Sequence, residues 1–199
     1  MMQIEQFVMA YGVEQDRLRA LLPEGFQSLR PVLRINAELR SEPGRPERAY
    51  VEFNTPVAAE GKRGWLNIAF WEGDADGVAF DRQGDTVRIT APFLTLSYTG
   101  TGLEGGCPAE RDNDGCFFLG DAPFFRPAEK IDRNKEFCDC AFAWTFHPDD
   151  AHGKSIRETL PAFPEEAVVR YERRPLTAEE AAAIPCRQVL GSYIVRFER

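Results

Sequence analysis

No apolar run in this 199-residue chain approaches the ~18 residues of a membrane-spanning helix, so the sequence offers no candidate helical span. The first eleven residues hold Glu5 and no basic cluster; they read as a strand rather than a secretory leader, and a cytoplasmic location is expected. Clustered positive charge is also missing. With a net charge of −8 and no stripe of Lys and Arg interleaved with aromatics, a nucleic-acid partner is not expected. Histidine occurs only at His147 and His152, both in one polar loop, where a turn role competes with pairing to a nearby thiol. The five cysteines lack the recurring CxxC-like spacing of a zinc site: Cys138 and Cys140 stand two apart, and Cys107 and Cys116 bracket a Gly- and Asp-rich loop. They are expected to be free thiols that bind no metal. There is no GxSxG elbow and no P-loop, and no cofactor is implied. Internal repeats and low-complexity linkers are lacking too, so residues 1–199 read as one domain.

What is present suits a water-soluble fold with no membrane part. An apolar content of 43% against 28% charged residues is that of a globular protein, and at this length roughly 70% of the unfolded chain's surface can be buried in one core. In YGVEQDRLRALLPEGF (Tyr11 to Phe26), Leu18, Leu21 and Leu22 recur at helical spacing on one face, while Glu14, Asp16, Arg17 and Arg19 turn to water. Acidic residues in the first turn oppose the helix dipole, and Pro23 and Gly25 stop the helix. A second helix is expected in TAEEAAAI (Thr177 to Ile184), where Thr177 and Glu180 have capping-box spacing.

Everything else that is periodic reads as strand. Phe7 to Tyr11, Val32 to Arg40, Ala49 to Val57, Trp65 to Trp71, Thr86 to Tyr98, Cys116 to Leu119, Glu136 to Phe146, Ala167 to Arg174 and Gly191 to Phe197 are β-branched or aromatic-rich, separated by Gly, Pro, Asp or Asn. So many strands close on themselves or stack, because open edges invite association. The expected fold is mostly β, of the α+β class: a closed or nearly closed antiparallel barrel or double sheet with few flanking helices. The long connections are Ser41 to Glu47, Gly100 to Gly115 and the stretch around His147 to Lys154; the second reads as a lid or as a hairpin tip.

The order strand, helix with an LLPEGF exit, strand, and then AYVEFNTPV resembles the opening of the acetoacetate decarboxylase-like superfamily over roughly the first 100 residues. The resemblance implies that family's antiparallel sheet architecture and puts Glu52 at the position of an active-site glutamate. It does not extend to the family's lysine. Where the Pro-Lys-Lys element should fall the chain reads GVAFDRQGDTVRITAP (Gly77 to Pro92), and its four lysines, Lys62, Lys130, Lys135 and Lys154, lie in loop-like polar surroundings. The family's arginine near the first strand also has no counterpart in residues 1–11.

Alternation places Tyr50, Glu52 and Asn54 on one face of their strand, and Trp65, Asn67, Ala69 and Trp71 on one face of the next. Val51, Phe53, Leu66, Ile68 and Phe70 then form the main core. Aromatics interleaved with a few polar groups are what lines a small-molecule cavity, though the same face could meet solvent or a second subunit. Arg34 on the preceding strand, beside Asn36 and Glu38, has the guanidinium fork that grips a ligand carboxylate. The expected ligand is a small organic molecule, a keto or carboxylic acid, bound by Arg34, Tyr50, Asn54, Trp65, Asn67 and Trp71. If the chain is an enzyme, Glu52 is its general acid or base; the competing class is a non-catalytic sensor or a subunit of an assembly. A homo-oligomer is expected under both. Because a Schiff base needs an activated amine, borohydride reduction in the presence of acetoacetate should leave the intact mass of the protein unchanged. A covalent adduct would contradict the reading.

Overall fold

The computed structural model describes residues 1–59, 61–104, 116–119, 122–125, 140–147 and 176–198. A nine-stranded sheet is built around β1 (Gln3–Gly12), which pairs along its length with β3 (Val32–Ser41) on one side and β13 (Gln188–Glu198) on the other, both antiparallel. Beyond β3 come β4 (Arg48–Ala59) and β5 (Lys62–Glu72), with the two-residue β2 (Gln27–Ser28) also on β4. Parallel pairs occupy the flanks: β10 (Cys116–Leu119) on β5, followed by β11 (Ala122–Phe125), and β9 (Leu103–Glu104) on β13. The second sheet has four strands in the order β12 (Ala141–Phe146), β8 (Leu94–Thr99), β7 (Thr86–Thr90) and β6 (Ala79–Gln83).

Among the described residues no pairing closes either sheet, and these residues form a double sheet. The sheets stack through Phe7, Met9, Leu33, Ile35, Val51 and Phe53 on one side and Val87, Ile89, Phe93, Leu94, Leu96 and Tyr98 on the other. Phe93 sits at the centre. Its ring lies 5.4 Å from Trp71, 6.2 Å from Phe53 and 5.1 Å from Phe146. At ~1.5–3 kcal/mol per fully buried large side chain, this layer supplies most of the gain that opposes chain entropy. Glu5 at one edge accepts from Arg196 of β13 at 3.2 Å and from Arg82 of β6, which ties the two sheets by charge.

Among the described residues two short α-helices, α1 (Gln15–Leu21) and α2 (Ala178–Ala182), flank the stack, and both were expected from their patterns. α1 buries Leu18 completely and leans Leu21 and Leu22 on the same core. The capping box of α2 is present, with Glu180 N–H donating to Thr177 Oγ1 at 3.2 Å and Thr177 N–H donating to Glu180 Oε2 at 3.1 Å. One expected element divides: the stretch 86–98 is two strands joined by a tight turn at Ala91 to Phe93, where the Ala91 N–H meets the Leu94 carbonyl at 2.9 Å. Pro92 has no N–H to give a ladder. Gly77, at φ 71°, faces that turn, and a Cβ there would come within 3.2 Å of Pro92 Cγ. The expected strand at 167–174, and the 136–139 part of another, lie outside the described residues, as do most of the 100–115 loop and the His152 segment.

Candidate functional site

The face of the large sheet turned away from the small one is lined by polar groups that water barely reaches. On β3 the alternation R-I-N-A-E-L-R sets Arg34, Asn36, Glu38 and Arg40 on that face, and pairing with β4 brings Arg34 opposite Asn54, Asn36 opposite Glu52, and Glu38 opposite Tyr50. β1 adds Gln6 opposite Glu38. All of these except the half-buried Arg40 are under 9% exposed.

Glu52 is the hub. Its Oε1 accepts from Asn36 Nδ2 and Asn54 Nδ2, both at 2.9 Å, and from Arg34 Nη2 at 3.4 Å; its Oε2 accepts from the Tyr50 hydroxyl at 2.8 Å and from Asn67 Nδ2 at 3.2 Å. Five donors from β3, β4 and β5 thus converge on one carboxylate. Burial, and then the nearby charge of Glu52, hold the Tyr50 phenol well above its ordinary range, so it stays protonated and donating. Arg34 gives Nε–H to Asn54 Oδ1 at 2.8 Å and lies flat over the Trp65 ring, 3.7 Å from its centre.

A second ionic group continues the row. Glu38 accepts from Arg40 Nε at 2.7 Å and from Gln6 Nε2 at 3.3 Å, and Arg40 Nη1 reaches Glu72 Oε1 at 2.8 Å. Burial works against the charge on Arg40, but the carboxylates around it outweigh that effect and raise its pKa. Arg40 also stands 3.9 Å over the ring of Tyr50, so the two groups share that tyrosine. Among the described residues, three buried polar atoms of this face have no partner: Asn36 Oδ1, Gln6 Oε1 and Trp65 Nε1.

The structure brings Arg34, Tyr50, Glu52, Asn54, Trp65 and Asn67 together on this face. Trp71 is not among them. A β-bulge shifts the β4–β5 register between Phe53 and Asn54, so that Asn54 faces Asn67 while Phe53 faces Ala69 and Val51 faces Trp71. The extra residue, Ile68, inverts the alternation. Trp71 and Ala69 therefore sit in the inter-sheet core, and Phe70, expected in that core, stands on the polar face with its ring 5.6 Å from Tyr50. Pattern reading missed the part played by Gln6, Arg40 and Glu72. The alternation of β3 already pointed to Arg40, but nothing local marks Gln6 or Glu72.

The remaining candidates are peripheral. His147 Nε2 lies 2.8 Å from Thr95 Oγ1 at the end of β12, an exposed turn contact. Cys186 is an exposed free thiol, Cys140 Sγ lies 3.0 Å from Ser192 Oγ, and Cys107 and Cys138 lie outside the described residues. Lys62, expected in a loop, opens β5. Residues 100–105 have GxGxxG spacing, yet Gly102 leads into β9, a strand rather than the helix a phosphate loop requires. Among the described residues no cluster of His, Cys, Asp and Glu could hold a metal ion, and no helix is long and apolar enough to cross a membrane.

No protein-family model matches the chain, and no curated protein matches its sequence. Solved structures match its fold. The acetoacetate decarboxylase of Legionella pneumophila superposes with a TM-score of 0.56 over 98% of this chain and 82% of that one, at 12% identity. The enduracididine biosynthesis enzyme MppR, in complex with pyruvate, superposes with a TM-score of 0.52 over 97% of this chain and 83% of that one, at 13% identity. The chain has an acetoacetate decarboxylase-like fold, and the likeness runs through its whole length rather than the first hundred residues alone.

The hub makes a direct prediction. Glu52→Gln removes a counter-charge of Arg34 and puts an N–H in place of one of the two oxygens on which the surrounding donors converge, so it should destabilise the protein by about 3–5 kcal/mol in urea titration. An unchanged or raised unfolding midpoint would show that the five donors do not depend on the charge.

Proposed function

We propose that the chain binds a small organic acid on the polar face of its large sheet, with Glu52 as the anchor that positions the binding groups. The observation that carries this reading is the Trp65 indole N–H, buried and without an acceptor among the described residues, at the edge of the ring over which the Arg34 guanidinium stands. An unmet buried donor costs about 1–3 kcal/mol, and a carboxylate oxygen is the acceptor that also suits the cation beside it. A structural neighbour that carries pyruvate gives the reading a precedent on the same fold.

The ring of donors favours binding over proton transfer. Glu52 would have to shed a hydrogen bond before taking a proton from a substrate, so we read it as a positioning group rather than a general base. This leans the function toward a ligand sensor or carrier and away from a lyase. We read the protein as a cytoplasmic homo-oligomer; the exposed Val189 and Leu190 at the start of β13 offer an apolar contact for a second copy.

An acid of about six heavy atoms, at roughly 1 kcal/mol per atom, binds in the tens of micromolar. Calorimetric titration with short carboxylic, hydroxy and keto acids should therefore give measurable heats, and Trp65→Phe should weaken the best binder by about tenfold while leaving the fold intact. Absence of heat from every acid at millimolar concentration would refute the proposal.

A further inference from the structure

Two buried side-chain amides of the polar face each hold a carbonyl oxygen out to no partner, and neither is free to turn round. Gln6 gives its Nε2–H to Glu38 Oε1 at 3.3 Å, and Asn36 gives its Nδ2–H to Glu52 Oε1 at 2.9 Å. Rotating either amide would set its oxygen against a carboxylate oxygen. Each carboxylate therefore fixes the amide in front of it as an outward acceptor, and both acceptors, Gln6 Oε1 and Asn36 Oδ1, are buried and unmet. The residues are 6% and 5% exposed. Because β1 pairs Gln6 with Glu38 and Val8 with Asn36, the two amides are diagonal neighbours on one face. Folded proteins leave few such groups unsatisfied, and each one calls for a donor from elsewhere.

We infer that the acid bound here carries a hydrogen-bond donor beside its carboxylate, an ammonium or a hydroxyl group, and is an amino or hydroxy acid rather than a keto or unsubstituted one. The inference rests on the proposed organic-acid site and adds the second group the ligand must bring. Its carboxylate accepts from Trp65 Nε1, and its donor meets Asn36 Oδ1, with Gln6 Oε1 available to a longer ligand. An ammonium gains further from Glu38 and Glu52, whose charges stand behind the two amides. A keto acid would set one more acceptor against two that already lack donors.

A matched series decides the point: alanine, lactate, pyruvate and propionate, with the longer 4-aminovalerate, 4-hydroxyvalerate, 4-oxovalerate and valerate, whose second group stands farther from the carboxylate and can reach Gln6, each titrated calorimetrically into the full chain. The amino or hydroxy member should bind about tenfold or more tightly than the keto and unsubstituted members of its length. Gln6→Met and Asn36→Leu, which remove the acceptors at nearly constant volume, should erase that preference, read as the ratio of the amino or hydroxy acid's affinity to the unsubstituted acid's on the same variant. Should Asn36→Leu fail to fold, Gln6→Met with the long series carries the comparison. Affinities within about threefold across a series, or a preference for the keto acid, overturn the inference and assign the amides to water. If no member of either series binds, the organic-acid site itself falls, and this inference with it.

Discussion

One carboxylate, that of Glu52, with five donors around it, is the constraint on which the polar half of this protein depends. An ionised group that deep costs several kcal/mol to desolvate, and its bonds to Arg34, Asn36, Tyr50, Asn54 and Asn67 offset that cost. The consequence runs outward. The carboxylate holds the amide of Asn36 in one orientation, tethers the Tyr50 ring on which Arg40 rests, and keeps Arg34 over Trp65. The apolar half needs no such organiser; aromatic packing around Phe93 joins the two sheets on shape alone.

That division bears on function. A buried ion pair is weak support for stability, since apolar residues of similar volume often serve as well. A network that adds little stability and leaves Asn36 Oδ1, Gln6 Oε1 and Trp65 Nε1 unmet is better understood as a surface prepared for a ligand. No lysine stands between Gly77 and Pro92, which form the β6–β7 hairpin of the small sheet and its flanks. The fold is shared, and the chemistry is set by which groups line it.

Much of the architecture could be read from periodicity. β1, β3, β4, β5 and β13 fall where alternation put them, and both helices carry their expected signals. The pieces that escaped notice, β2, β6, β9 and β11, are short, and β6 is exposed except at the half-buried Phe80, so little burial pattern marks it. Alternation also gave Tyr50, Glu52, Asn54, Trp65 and Asn67 a common face, but it presumes an unbroken register. Ile68 breaks it, and a single inserted residue moved Trp71 from the site to the core. Nothing in WLNIAFW announces a bulge, because the segment holds no Gly or Pro to mark one. Gln6 escaped for another reason: its role arises from contact with Glu38, thirty-two positions away.

The central claim is that Arg34 and Glu52 act as one unit whose purpose is binding. The most direct measurement is a double-mutant cycle on Arg34→Met and Glu52→Leu, with stability and acid binding followed together. Each single change should destabilise by about 3–5 kcal/mol by removing one member of a buried ion pair, and the double change should recover at least half of the summed loss, while all three variants bind no acid. Strictly additive losses, or a double variant that still binds, would contradict the account.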